Sequence, residues 1–194
     1  MQFVLNTSFD PHFCALFDDN NDLIAQSHWA VPRHDGQQIW EFLAQHLAPN
    51  DKLNFVGGVS GPGSFSSLRT AGAVLNALAF KYQLPIHQAR ADAVIIDYLK
   101  QEGRESENFL LNSFSQRVFW PQKKQLQVLE LPAAASLVPT PVITAWLPAA
   151  KAEHFTSAPD IAPLGPRQTL LNTLKNSSVH ENFIPDYEYP PVQN

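Results

Sequence analysis

The sequence is poor in cysteine, in charge and in basic residues, and each shortage removes a class of function. Its one cysteine, Cys14, excludes an internal disulfide, and without a C-x-x-C pair there is no thiolate set for structural zinc. That usage fits a reducing compartment. No basic, apolar, small-residue leader opens the sequence either, so a cytoplasmic protein is expected. Charged residues make up 16%, and 13 Lys+Arg against 18 Asp+Glu give a net charge of −5, so no global basic field gathers nucleic acid. If RNA is involved, another chain holds most of it. Low charge density also suits a surface partly covered by a partner, although Asn, Gln, Ser and Thr are plentiful enough to solvate it. Leu131 to Ala150 is charge-free and long enough to span a membrane, but it contains Pro132, Pro139, Pro141 and Pro148. Each proline costs about 3 kcal/mol inside a helix, so no span is expected. There is no internal repeat and no low-complexity tract.

With 194 residues and a hydrophobic fraction of 44%, the chain can build one large domain or two small ones. Phe3 to Leu5, Phe13 to Phe17 and Leu23 to Trp29 have strand character and are separated by turn-rich Ser8–Pro11 and Asp18–Asp22. They read as an antiparallel meander. Asp35 to Leu47 carries Ile39, Trp40, Leu43, His46 and Leu47 at helical spacing. Leu53 to Val59 reads as a central strand, and Phe65 to Tyr82 as a long helix with Leu68, Leu75, Leu78 and Tyr82 on one side. Ala71, Gly72, Ala73, Ala77 and Ala79 put small side chains over much of the rest, which suits close approach by another helix or burial against the chain's own sheet. A short strand at Pro85–His87, a helix at Ala91–Lys100 and a polar boundary at Gln101–Asn108 follow. Strands are expected at Phe109–Asn112, Arg117–Trp120, Leu126–Leu131 and Val142–Trp146, then a helix at Arg167–Lys175 and an extended tail from Ile184. The expected division is an amino-terminal lobe over residues 1–102 and a smaller lobe over residues 103–194. A meander followed by β-α-β crossovers resembles a ribonuclease-H-like lobe, the unit of the actin-like ATPase architecture.

Between the central strand and the long helix stands Gly61-Pro62-Gly63-Ser64-Phe65-Ser66-Ser67-Leu68-Arg69. Glycines permit a sharp turn, Pro62 fixes its own φ, and Ser64 is placed to cap the helix. A helix start of this kind can hold an anion or can simply be a turn. It lacks the lysine and spacing of a P-loop, and Ser64 lacks the two flanking glycines of a nucleophile elbow. The seven histidines are scattered, with no pair one turn apart, so no metal site is assigned. Asp18, Asp19 and Asp22, interspersed with Asn, read as a solvated hairpin turn rather than a calcium loop.

The run from Gly61 to Arg69 resembles the G-P-G-S-F-T-G-[LV]-R signature of the TsaB (YeaZ) family, with Ser66 and Ser67 where Thr and Gly are usual. Phe3-Val4-Leu5-Asn6-Thr7-Ser8 is similar to that family's opening I-L-x-I-D-T-S, and Arg33-His34 to its R-x-H-[ST] segment. Asn112-Ser113 with Val118-Phe119-Trp120 is similar to its D-A-R-x-x-E-V-Y-x pattern, and the likeness thins after Trp120. The resemblance implies an α/β, actin-like ATPase fold of two lobes, with mixed sheets flanked by helices and the second lobe reduced. It implies a non-catalytic cytoplasmic subunit that binds TsaD and, with the ATPase TsaE, supports threonylcarbamoyl transfer to adenosine of tRNA. The tRNA is contacted only indirectly and the membrane not at all. No tightly bound cofactor is implied, any ATP or ADP sitting at the interface with the partner. The interface would use the first two helices, here Ile39, Trp40, Leu43, Phe65, Leu68, Arg69, Gly72, Ala73, Leu75 and Ala77, and the same face would make a homodimer when the chain is alone. Asn6 departs from the aspartate that active members of the superfamily use near phosphate and metal, and a neutral amide is the weaker ligand. Arg69 could instead bridge the helix to its neighbour, and Asn6 could bond its own turn. The alternatives are an ATP-dependent small-molecule kinase or hydrolase using the cleft between lobes, or a purely structural homodimer.

Overall fold

The computed structural model describes residues 1–30, 35–113, 116–122, 125–157 and 166–187. Strands β1 (Gln2–Asn6), β2 (His12–Phe17) and β3 (Leu23–Trp29) form the expected antiparallel meander, with Phe3 opposite Leu16, Asn6 opposite Phe13 and Phe13 opposite His28. In the tight β2–β3 connection Asp18 Oδ1 accepts hydrogen bonds from the amides of Asn20 and Asp22, each at 2.8 Å. The aspartate cluster is thus a hairpin turn held by its own side chain.

Helix α1 (Asp35–His46) then delivers β4 (Phe55–Gly61) parallel to β1, and helix α2 (Phe65–Tyr82) delivers β5 (Ile86–Arg90) parallel to β4. Parallel neighbours need a crossover, and the two helices supply it. A late strand, β11 (Ser178–His180), pairs antiparallel with β5 and completes a six-stranded sheet in the order β11-β5-β4-β1-β2-β3. Side-chain alternation assigns each residue to a face. Phe3, Leu5, Cys14, Leu16 and Val56 meet Ile39, Phe42 and Leu43 of α1 and Val74, Leu75 and Leu78 of α2. Val4, Ala15, Phe17, Phe55 and Val59 face the other way, towards helix α3 (Ala91–Gln101), helix α6 (Pro166–Lys175) and Trp146. Both faces of β1 and β2 are covered, which is why their strands read as unbroken apolar runs.

Beyond α3 the chain builds smaller sheets. β6 (Asn108–Phe109) pairs parallel with β10 (Val142–Ile143). β7 (Leu111–Asn112), β8 (Arg117–Gln122) and β9 (Gln125–Glu130) form an antiparallel three-stranded sheet. Leu110, Val118, Leu131, Ala134, Val138, Val142 and Leu147 make its own small core. Two expectations change here. Leu131 opens a helix, α4 (Leu131–Leu137), instead of ending a strand: Pro132 lies in the first turn, where its missing amide costs nothing, and three alanines follow. Extended structure at Val142–Trp146 shrinks to Val142–Ile143, and a one-turn helix α5 (Ala149–Ala152) follows.

The residues after 102 do not stay together: α6 buries Leu170, Leu171 and Leu174 against the first sheet, and Thr169 Oγ1 donates to Gln101 Oε1 of α3 at 2.7 Å. β11 extends the same sheet. The open edge of β5 needs a cover, and the returning chain provides one.

Candidate functional site

The glycine turn joins β4 to α2 as expected, and its geometry explains its composition. Gly61 has φ +139°, in a region closed to side chains, and the Gly61–Pro62 bond is cis. A Cβ on Gly61 would stand 2.3 Å from the carbonyl oxygen of Asp186, and one on Gly63 would stand 2.9 Å from Cα of Ser8. The turn is therefore packed by backbone on two sides, by the β1–β2 connection and by the carboxy-terminal segment. Ser64 holds the N-cap position with extended φ and ψ, but it makes no side-chain capping bond. Its Oγ lies 3.1 Å from Ser66 Oγ instead.

The covering segment, residues 182–187, is a strap tied mainly through its backbone. The Asn182 carbonyl accepts from Gln88 Nε2 at 3.0 Å, and the Ile184 amide donates to Gln88 Oε1 at 3.1 Å. The Phe183 amide donates to Asn76 Oδ1 of α2 at 2.8 Å, and the Asp186 amide to the Ser60 carbonyl at 2.7 Å. Phe183 is buried, its ring 3.1 Å from where a Gly72 side chain would begin. Asp186 forms an ion pair with Arg90, which also donates to Asp92 Oδ1 at 3.0 Å. Tyr187 then lies on Phe65 with ring centroids 4.8 Å apart. The tail beyond Tyr187 and the Arg33-His34 segment lie outside the described residues.

The expected interface residues divide sharply. Ile39, Leu43, Leu68, Gly72 and Leu75 are buried in the chain's own core, Gly72 under Phe183, so they form no surface. The sheet takes the apolar faces of α1 and α2, and helical spacing alone does not tell that face from one left for a partner. Trp40, Phe65, Arg69, Ala73 and Ala77 are exposed. On α2, residues 65, 69, 73 and 77 succeed one another by one turn and continue into Phe80, which is 88% exposed. Phe80 was legible three residues after Ala77 on the same face. Among the described residues Arg69 makes no bridge to a neighbouring helix: its guanidinium lies over the Phe65 ring at 5.4 Å from the centroid. Helix α2 contains no acidic residue, while Arg69 and Lys81 are both exposed.

Asn6 is fully buried and all its polar capacity is used locally. Its Nδ2 donates to the carbonyls of Phe9 (2.9 Å) and Pro11 (3.2 Å), and its Oδ1 accepts from the amides of Ser8 (3.0 Å) and Phe9 (3.4 Å). It bonds its own turn. Across from that turn, Lys151 of α5 donates to the carbonyls of Ser113 (2.6 Å) and Arg117 (2.7 Å). Burial pushes its ammonium down to about 8, with the negative charge of Asp10 opposing. Sequence patterning gave no hint of that lysine, because its partners are main-chain carbonyls. His87 stacks on Phe55 at 4.3 Å, His12 meets Trp29 edge-on, and no metal-binding cluster occurs among the described residues.

A meander, two parallel crossovers and a six-stranded mixed sheet covered by helices on both faces define an α/β fold of the ribonuclease-H-like, actin-like kind. Two solved structures share it over nearly the whole chain. YeaZ from Pseudomonas aeruginosa superposes with TM-score 0.63 at 17% identity, over 96% of this chain and 100% of that one. A protein described by its similarity to peptidase YeaZ from Pseudomonas aeruginosa superposes with TM-score 0.61 at 16% identity, over 97% of this chain and 100% of that one. At these identities the likeness establishes the fold. No family model and no curated protein matches the sequence.

Proposed function

We propose that this chain is a TsaB-type subunit: a non-catalytic cytoplasmic partner that docks on TsaD and supports threonylcarbamoyl transfer to adenosine of tRNA. The observation that carries the reading is the outer face of α2. Directly after the G-P-G-S-F…L-R signature, Phe65, Arg69, Ala73, Ala77 and Phe80 form an exposed, acid-free stripe on a fold shared with YeaZ. Alanines at one-turn spacing let a second helix come close, and an aromatic at each end supplies area to bury. Trp40 of α1, the helix packed beside α2, is exposed as well. A non-catalytic role agrees with Asn6, whose four hydrogen bonds all serve its own turn.

In this reading the chain holds no cofactor tightly, and ATP or ADP sits at the interface with TsaD. TsaE joins a larger complex, and tRNA is met only through the partner. When TsaD is absent the same stripe covers itself in a homodimer. No described helix is long and apolar enough to cross a membrane.

Co-expression with the cognate TsaD and size-exclusion chromatography tests the reading. A shared peak, earlier than either protein alone, is expected. Unchanged elution of both contradicts it, and points to a structural homodimer if this chain alone runs as a dimer. Turnover of ATP by the isolated chain, lost on substitutions beside the β1–β2 turn, points instead to a kinase or hydrolase of the same fold.

A further inference from the structure

The start of α2 carries an arrangement that goes further than a docking stripe. The ring of Tyr187 rests on Phe65 at 4.8 Å, and the Arg69 guanidinium lies over the Phe65 ring at 5.4 Å. Tyr187 belongs to the strap, not to the helix. It is placed there by the Asp186–Arg90 ion pair and by the bond from the Asp186 amide to the Ser60 carbonyl. Residues more than a hundred positions apart in sequence thus build one small platform, with Arg69 at its side.

Resting a guanidinium on an aromatic face limits its freedom while leaving the planar N–H edge available, the geometry that receives a carboxylate through two parallel bonds. No carboxylate among the described residues pairs with Arg69, although the chain as a whole carries 18 acidic residues against 13 basic ones. Helix α2 itself contains none, and Lys81 stands exposed at its far end. An acidic chain that keeps the exposed face of this helix free of acid, with Arg69 and Lys81 on it, presents there a surface complementary to an acidic partner. The same net charge of −5 disfavours a polyanion as the occupant, because the rest of the surface would repel it.

We propose that Arg69, supported by Phe65 and Tyr187, receives a carboxylate side chain from a helix of the docking protein, and that the seated strap is what completes this receptor. The inference rests on the docking reading above and adds to it the chemistry of the partner surface and a role for the carboxy-terminal segment. Arg69 sets the charge contact, Phe65 orients it, and Tyr187 fixes Phe65. Releasing the strap loosens the contact without touching the alanine stripe.

The test is calorimetric titration of the full chain into cognate TsaD, with each variant first shown to melt as the parent does. Arg69→Glu is expected to weaken binding by about tenfold or more, and Arg69→Lys by less, since it keeps the charge and loses the fork. Tyr187→Ala and Asp186→Asn should each cost about threefold to tenfold, and the parent's salt dependence should flatten in Arg69→Gln. Should Arg69→Glu fail to fold, Arg69→Gln carries the same comparison. Parent binding that is unchanged in Arg69→Glu and Tyr187→Ala overturns this inference and leaves the docking reading standing. No binding by the parent overturns both. Binding of unmodified tRNA by the parent alone, lost in Arg69→Glu while TsaD binding persists, makes the occupant a phosphate backbone and overturns the proposal.

Discussion

Asn6 is buried at the end of β1 with two amide hydrogens on carbonyls and its oxygen on two amides. An aspartate there keeps the acceptors and turns the donors into oxygens facing oxygens. Each unsatisfied buried group costs about 1–3 kcal/mol, so Asn6→Asp is expected to lose about 2–5 kcal/mol in a denaturant melt at neutral pH. The loss should shrink as pH falls from the raised folded value towards about 4, as the carboxyl takes up a proton and regains one donor. The sign follows from linkage: a carboxyl whose folded pKa is raised destabilises as pH climbs past its unfolded value. Equal stability of Asn6→Asp at neutral pH would contradict the structural role of this side chain. Cys14 gives a second residue-scale prediction. Burial pushes its thiol up to about 12, a backbone hydrogen bond at Ser27 opposing. A neutral disulfide reagent should leave the native thiol untouched and label it only on unfolding. Because the folded value is the higher one, this group's contribution to stability should be full below 9.0 and fade as pH rises towards about 12. Rapid labelling of the native protein would contradict its burial.

Among the elements, the strap makes the most distinctive predictions. Phe183 is its buried anchor, so Phe183→Ala should cost about 3–5 kcal/mol, whereas Tyr187→Ala, half-buried on the surface, should leave the melting temperature nearly unchanged. Gly61→Ala meets both a forbidden φ and the Asp186 carbonyl, and should cost about 1–3 kcal/mol. A fully stable Gly61→Ala would mean that the strap does not seat. The strap also marks where sequence patterning stopped working. The meander, both crossover helices and the glycine turn were legible because alternation, helical spacing and turn residues are local signals. Three-residue β11 is too short to show a period, and the strap's own backbone groups bond the side chains of Gln88 and Asn76 and the Ser60 carbonyl. Helix α4 was hidden because its proline falls in the one turn that tolerates it. The same limit governs the candidate interface. Periodicity marked Ile39, Leu43, Leu68 and Leu75 as apolar, but their use by the sheet rather than by a partner appears only in three dimensions.

At the scale of the whole molecule, the returning α6 and β11 lock the carboxy-terminal residues onto the first sheet, leaving the smaller sheets as an excursion from it. One side of α2 stays open to solvent, with the strap's Tyr187 against its first turn, and Trp40 of α1 is exposed as well. A subunit that acts by docking needs just such a face, rigidly mounted on a finished core. Titration of Ala73→Glu/Ala77→Glu into cognate TsaD tests this most directly, because both alanines are exposed and neither supports the core. The parent is expected to bind, and the double variant, with unchanged melting temperature, to bind at least about tenfold more weakly. Equal affinity of parent and variant would contradict docking through α2.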